Sequence, residues 1–230
     1  MKLEISSRLN EVSQSEIRNM SIECLNAGGI NLAQGVCDLS VPDMVIDGAH
    51  DAMRSGFNTY TRYEGLKELR EAIAHKIYRD YAMAADPEHE IIVSAGTTGA
   101  FYCACMALIN PGDEIIVFEP FYGYHINTLK AVGASPVYCS MNPPEWNFCP
   151  SELESLVTSR TKGIIINTPS NPSGKVFSKE ELCMLADFAC RHDLFVFTDE
   201  IYEHFIYSES PHIMASGLPG MRERTITISG

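Results

Sequence analysis

Basic residues are scarce. The chain carries 17 lysines and arginines against 30 aspartates and glutamates, a net charge of −13 with a pI near 4.9. That balance repels phosphate backbones and anionic lipid, which argues against nucleic acid and membrane surfaces as partners. No apolar run approaches the roughly 20 residues of a membrane-spanning helix. The opening MKLEISSRLNEVSQSEIRNM is too polar for a signal peptide. Metal and disulfide spacings are missing as well. The 8 cysteines (24, 37, 103, 105, 139, 149, 183 and 190) form no CxxC, and the 7 histidines form no HxxxH or HExxH. Cys103 and Cys105 fall in an apolar helical stretch, where buried free thiols are expected. A reducing, cytoplasmic compartment and no structural metal are the resulting expectations. The acidic charge is spread out, with no acidic tail or low-complexity block, and reads as solvated surface.

What is present is an ordinary globular composition, 45% hydrophobic and 20% charged. At 230 residues and 25.5 kDa the chain can bury one large core, or one large domain and part of a second. Short apolar runs recur between turn residues: Ile91–Val93, Glu114–Phe118, Pro136–Cys139, Gly163–Asn167, Leu194–Thr198 and Thr225–Ser229. Helical patterns lie between them, over Gly65–Tyr81, Thr98–Leu108, Gly123–Val132, Pro150–Leu156 and Ser178–His192. Another spans 8–27 and is ended by Gly28-Gly29. Ser178 followed by Glu181 predicts a capping box. This alternation predicts an α/β fold, a mostly parallel sheet covered by helices on both faces. In such sheets ligands gather beyond the carboxyl ends of the strands.

Four of those ends carry chemistry, and each has a plainer reading. SAGTTGAF, after Ile91–Val93, offers a helix start with free N–H groups and two hydroxyls, a phosphate cup or simply a strand-to-helix turn with a Thr cap. EPFYGYH, after Glu114–Phe118, supplies aromatics to stack on a planar ring or to plug the core. TPSNPSGK, after Gly163–Asn167, presents Asn171 as an amide donor or as an Asx-turn former. DEIYEHF, after Leu194–Thr198, puts Asp199 at an apolar strand end, where a carboxylate needs a partner, with Tyr202 three residues on. The plainer reading there is a capping Asp beside a core Tyr. Taken together the four ends ask for a phosphate, a stacked ring, a bonded ring oxygen and a ring nitrogen facing a carboxylate. Pyridoxal 5′-phosphate has all four.

These same stretches, with INLAQGVCDLSVP and YTRYEGLKELREAIA, resemble the class I/II aminotransferases, pyridoxal-phosphate enzymes of fold type I. SRTKGIIINTPSNPSGKVF and ASGLPGMRERTITISG are similar to the kynurenine/glutamine/methionine aminotransferase and cysteine-conjugate β-lyase group. The resemblance implies an N-terminal arm and substrate-side segment over 1–45 and a cofactor-binding large domain over 46–230. It implies that the N–H groups of Gly96, Thr97 and Thr98 hold the cofactor phosphate and that Tyr122 stacks on the ring. Asn171 and Tyr202 would bond the phenolic oxygen, and Asp199 would pair with the pyridine nitrogen. Tyr60 would reach the phosphate of a neighbouring subunit, implying a homodimer with shared active sites, and Gly35 would sit beside the substrate carboxylate. The family often has Thr where Ser173 stands.

In that family a lysine forming the Schiff base follows the ISG motif, and a small C-terminal domain comes after it. Neither is among these 230 residues, so a fragment is expected, with the large domain incomplete, the small domain absent and the isolated chain inactive. Lys162 precedes its strand, while Lys175 and Lys179 read as surface charges. The implied reaction is transamination between an amino acid and a 2-oxo acid. A C–S β-lyase and a non-catalytic truncated homologue that only binds remain open, and a nucleotide-binding α/β protein is more distant because GxGxxG is absent.

Overall fold

Five of the six apolar runs become parallel strands of a single sheet in the computed structural model, which describes residues 3–10, 12, 15–35, 37–207 and 211–230. They are β1 (Glu114–Glu119), β2 (Ser135–Asn142), β4 (Thr161–Asn167), β5 (Phe195–Asp199) and β6 (Thr225–Ile228). A two-residue strand β3 (Asn147–Phe148) pairs antiparallel with β2 at one edge, and the order is β3-β2-β1-β4-β5-β6. The helices are α1 (Glu16–Asn26), α2 (Asp43–Arg54), α3 (Lys67–Tyr81), α4 (Gly96–Leu108), α5 (Gly123–Val132), α6 (Pro150–Ser155) and α7 (Lys179–Arg191).

Strand periodicity sorts the core into two layers. Ile115 and Val117 of β1 join Ile165, Phe197 and Ile228 against α4 and α5. Ile116 and Phe118 point the other way and join Ile164, Ile166 and Val196 against α6 and α7. The expected double-covered α/β sheet is therefore the observed one. The capping box also forms: Ser178 Oγ accepts from the Glu181 N–H at 3.2 Å, and Glu181 Oε2 accepts from the Ser178 N–H at 2.8 Å.

Other expectations need correcting. Ile91–Val93 is not a strand. Its Val93 N–H donates once, to the Glu64 carbonyl at 3.0 Å, and Ile92 is 71% exposed, so no ladder forms. Gly65, at φ +97°, permits that approach, because a Cβ there would stand 2.7 Å from the Val93 Cβ. The helix expected over 8–27 is shorter, with a 3-10 turn at Ser7–Asn10 before α1, while 11, 13 and 14 lie outside the described residues. Helix α2 was not anticipated. It spans the expected 45/46 boundary, and neither α1 nor α2 has a buried residue. β6 is an edge strand in which only Ile228 is buried. Lys162 lies inside β4 rather than before it. Lys175 is buried, its ammonium 2.7 Å from Glu181, because the turn after β4 folds back onto α7. Cys105 is buried, and that burial pushes its thiol up to about 12, but Cys103 faces outward. All 8 cysteines are free. No helix among the described residues is long and apolar enough to cross a membrane.

Candidate active site

The chain runs from β1 outward to β2 and then returns to β4 on the other side, so the strand order reverses between β1 and β4. A crevice opens at such a reversal, beyond the carboxyl ends of the strands. Around it stand Asp199, the last residue of β5, the Phe121-Tyr122 entry into α5, the turn after β4, and the first turn of α4.

Asp199 is 6% exposed. A carboxylate so placed needs donors, and it has them. His125 Nε2–H donates to Asp199 Oδ2 at 2.9 Å, while Oδ1 accepts from the Ile201 N–H at 3.3 Å. His125 is carried here because α5 begins directly after Tyr122, which puts position 125 on the buried face with Leu129 and Val132. Its ring is fixed edge-on against Phe101 at 5.0 Å and Tyr122 at 5.3 Å.

Thr97 and Thr98 occupy the first turn of α4. Gly96, at φ +72°, makes the preceding bend and spends its own N–H on the Ser94 carbonyl at 3.0 Å. That leaves the Thr97 and Thr98 N–H groups, for which no carbonyl acceptor is found among the described residues. The expected three-residue cup is thus narrowed to two open backbone donors and two hydroxyls. Thr97, Thr98, Tyr122, Tyr124, His125 and Asp199 line one open cleft holding about 200 Å³ of atom-free space. Burial raises the Tyr122 phenol above its ordinary value. Tyr124, Tyr202 and Asp199 add to that, and a hydrogen bond with Thr98 offsets part of it.

A family model described as aminotransferase class I and II matches residues 27–228. The chain belongs to this family. It is 37% identical to the probable N-succinyldiaminopimelate aminotransferase DapC of Mycobacterium tuberculosis over 225 residues, 97% of this chain and 57% of that protein. It is 38% identical to kynurenine–oxoglutarate transaminase 3 of Rattus norvegicus, covering 86% of this chain and 46% of that one. The solved structure of YbdL from Escherichia coli, described as having a methionine aminotransferase function, superposes with a TM-score of 0.93 at 32% identity, covering 99% of this chain and 60% of that one. The chain thus spans about half the length of the curated relatives it matches. Family members are pyridoxal-phosphate-dependent enzymes, and the donor set in this aminotransferase cleft fits that cofactor. Helix-start N–H groups and hydroxyls suit a phosphate dianion, Tyr122 offers an aromatic face, and a buried carboxylate suits a protonated ring nitrogen.

Asn171 is tied to the end of β4 by a residue the sequence reading passed over. Asn167, at the end of β4, accepts from the Asn171 N–H at 2.8 Å and donates its amide to the Asp199 carbonyl at 3.0 Å. One side chain thereby ties the Asn171 turn to the end of β5. Its signal was an amide closing an otherwise apolar strand; that of His125 was a lone imidazole one helical turn past Tyr122. Tyr202 is 36% exposed, its ring edge-on to Phe205 at 5.7 Å. Two expected residues are not brought in by this single copy. Tyr60 is wholly exposed at 105%, and Gly35 has nothing within 4 Å of where a Cβ would stand.

Proposed function

We propose that the chain forms the cofactor-binding large domain, over 46–230, of an aminotransferase that moves an amino group between an amino acid and a 2-oxo acid. The observation that carries this reading is Asp199, buried, oriented by His125 and open to the Thr97–Tyr122 cleft. In it, the Thr97 and Thr98 N–H groups and hydroxyls bind the phosphate of pyridoxal phosphate. Tyr122 covers one face of the ring and excludes water from it. Asn171 and Tyr202 donate to the ring oxygen. Asp199 holds a proton at the pyridine nitrogen, and His125 keeps that carboxylate aimed. Bound there, the cofactor supplies an electron-withdrawing ring that eases loss of the substrate α-proton. The residue that takes that proton in the family, a lysine, is not among these 230.

The reading extends to a homodimer in which Tyr60 reaches the phosphate in the partner's cleft, segment 1–45 is an N-terminal arm and substrate-side segment, and Gly35 sits beside the substrate carboxylate. The wholly exposed Tyr60 supports it. A sedimentation mass of one chain at micromolar concentration would sink the dimer. A cytoplasmic location is supported by 8 unpaired thiols, and recovery outside the cytoplasm on fractionation would overturn it.

Pyridoxamine 5′-phosphate tests the cleft without needing the lysine. Fluorescence titration should show it binding more tightly than pyridoxamine, which lacks the phosphate. Asp199→Ala should weaken it on the order of 10- to 100-fold, the loss of one charged hydrogen bond. Equal binding of the two compounds, or an unaffected Asp199→Ala variant, overturns the proposal.

A further inference from the structure

Behind the cleft lies a second group of ionisable side chains that the transamination reading leaves idle. Asp199 lines the cleft. Glu200 and Glu203, on the turn that follows β5 and 0% and 5% exposed, are held by other partners. Glu203 Oε1 accepts from the Lys76 ammonium and, at 2.8 Å, from the Ser229 hydroxyl; Oε2 accepts from the Tyr81 hydroxyl. Glu200 Oε2 lies 2.7 Å from His212 Nε2, and its Oε1 accepts from the Ala215 N–H at 3.3 Å. Tyr81 meets the His212 ring edge-on at 5.9 Å, which joins the two carboxylates into one cluster.

Burial alone would push Glu203 up, yet Lys76, Tyr81 and Ser229 together hold it below the ordinary carboxylate value. A buried ion pair of this kind seldom stabilises a fold more than apolar packing of the same volume would. What it does supply is direction, because its hydrogen bonds fix both partners in angle as well as distance. Three elements meet at Glu203: the end of α3, the turn that carries Tyr202, and the exit of β6. That exit ends beside Thr97, one of the residues lining the cleft. A Cβ built on Gly230 would stand 2.9 Å from the Ile201 Cδ1 and 3.6 Å from the Thr97 Cγ2.

We propose that Glu203, held by Lys76 and Tyr81, is a positioning residue that sets where the Tyr202 phenol and the Ser229-Gly230 backbone stand relative to the Thr97 turn. The proposal rests on the reading of the cleft as a pyridoxal-phosphate site.

The test compares Glu203→Gln, Tyr202→Phe and the double variant in the full chain, by pyridoxamine 5′-phosphate affinity and by the near-ultraviolet absorption band of the bound compound, which reports on its phenolic oxygen. Each single variant should lose about tenfold in affinity and shift the band in the same sense. The double variant should be no weaker than either single, since both changes remove one interaction. Additive losses, or a Glu203→Gln band identical to that of the unaltered chain, overturn the proposal. Should Glu203→Gln fail to fold, Glu203→Gln with Lys76→Met removes the buried charge pair together, and the same expectations apply. If the unaltered chain does not bind the compound, the cofactor reading falls first and takes this proposal with it.

Discussion

From Leu3 to Tyr63 no described residue is buried, whereas Ile115, Ile116 and Ile164 in the middle of the sheet are 0% exposed. Both regions hold apolar residues in quantity. Met44, Val45, Ile46 and Met53 of α2 are all more than half exposed, while Leu182, Leu185 and Phe188 of α7 are sealed against the sheet. Amphipathic spacing creates an apolar face in both helices, but among the described residues α7 presses its face on the sheet and α2 leaves its own exposed. The site divides along the same line. Asp199 and Tyr122 sit in the sealed half and come with partners and distances. Gly35 and Tyr60 sit in the open half and have none.

The contrast can be broken most directly by truncation. Leu185→Ala, in the sealed half, should cost about 2–5 kcal/mol in denaturant melts, because transfer energy and a cavity are both lost. Ile46→Ala in α2 should stay within about 0.5 kcal/mol, having little to lose. Equal costs would erase the distinction between the halves.

Acid should sharpen it further. The Glu114 carboxyl is lowered by hydrogen bonds from Thr158 and Arg160. Glu203 is lowered because its donors outweigh burial, and Glu64, held by Arg62, goes down to about 2. A carboxyl depressed by folding contributes stability that is complete above its unfolded value, 4.5, and is lost as pH falls through the folded one. Melting temperature should therefore be flat from neutrality to near 4.5 and fall below it. Glu114→Gln should reduce that fall. A fall that begins near neutrality would point to histidines instead.

The smallest expected effect is at helix starts. Ser178→Ala removes a formed capping box and should cost about 1 kcal/mol. Ser15→Ala, at the start of α1, where no side-chain cap bond exists, should cost less than about 0.5 kcal/mol. Matching losses in thermal melts would mean that α1 is better anchored than its contacts show.

What could be read from the residues alone follows from the range of the interaction involved. β1, β4 and β5 were legible because buried parallel strands are continuous apolar runs, and α7 because its capping box is local. Ile91–Val93 has the same apolar character but lacks a neighbour, and a strand is defined by its ladder. α2 was missed because DMVIDGAHDAMR carries an internal glycine and starts without a side-chain cap. Asp199 and Thr97 were legible as strand-end and helix-start chemistry. His125 was not, since its partner lies 74 residues away, nor was Asn167, whose bond to the Asp199 carbonyl spans 32. Lys175 was misread for the same reason. Its burial depends on how the turn after β4 folds back, which no local spacing records.

Asn167 and Asp199 form the last rung of the β4–β5 ladder. A slip of a single residue would carry the carboxylate about 3.3 Å along and turn it to the opposite layer, away from the imidazole. Such a misthreaded chain would keep its helix content and most of its sheet, and circular dichroism would pass it as native. Ligand bound per mole of protein, not ellipticity, is therefore the proper gauge of a correctly folded preparation.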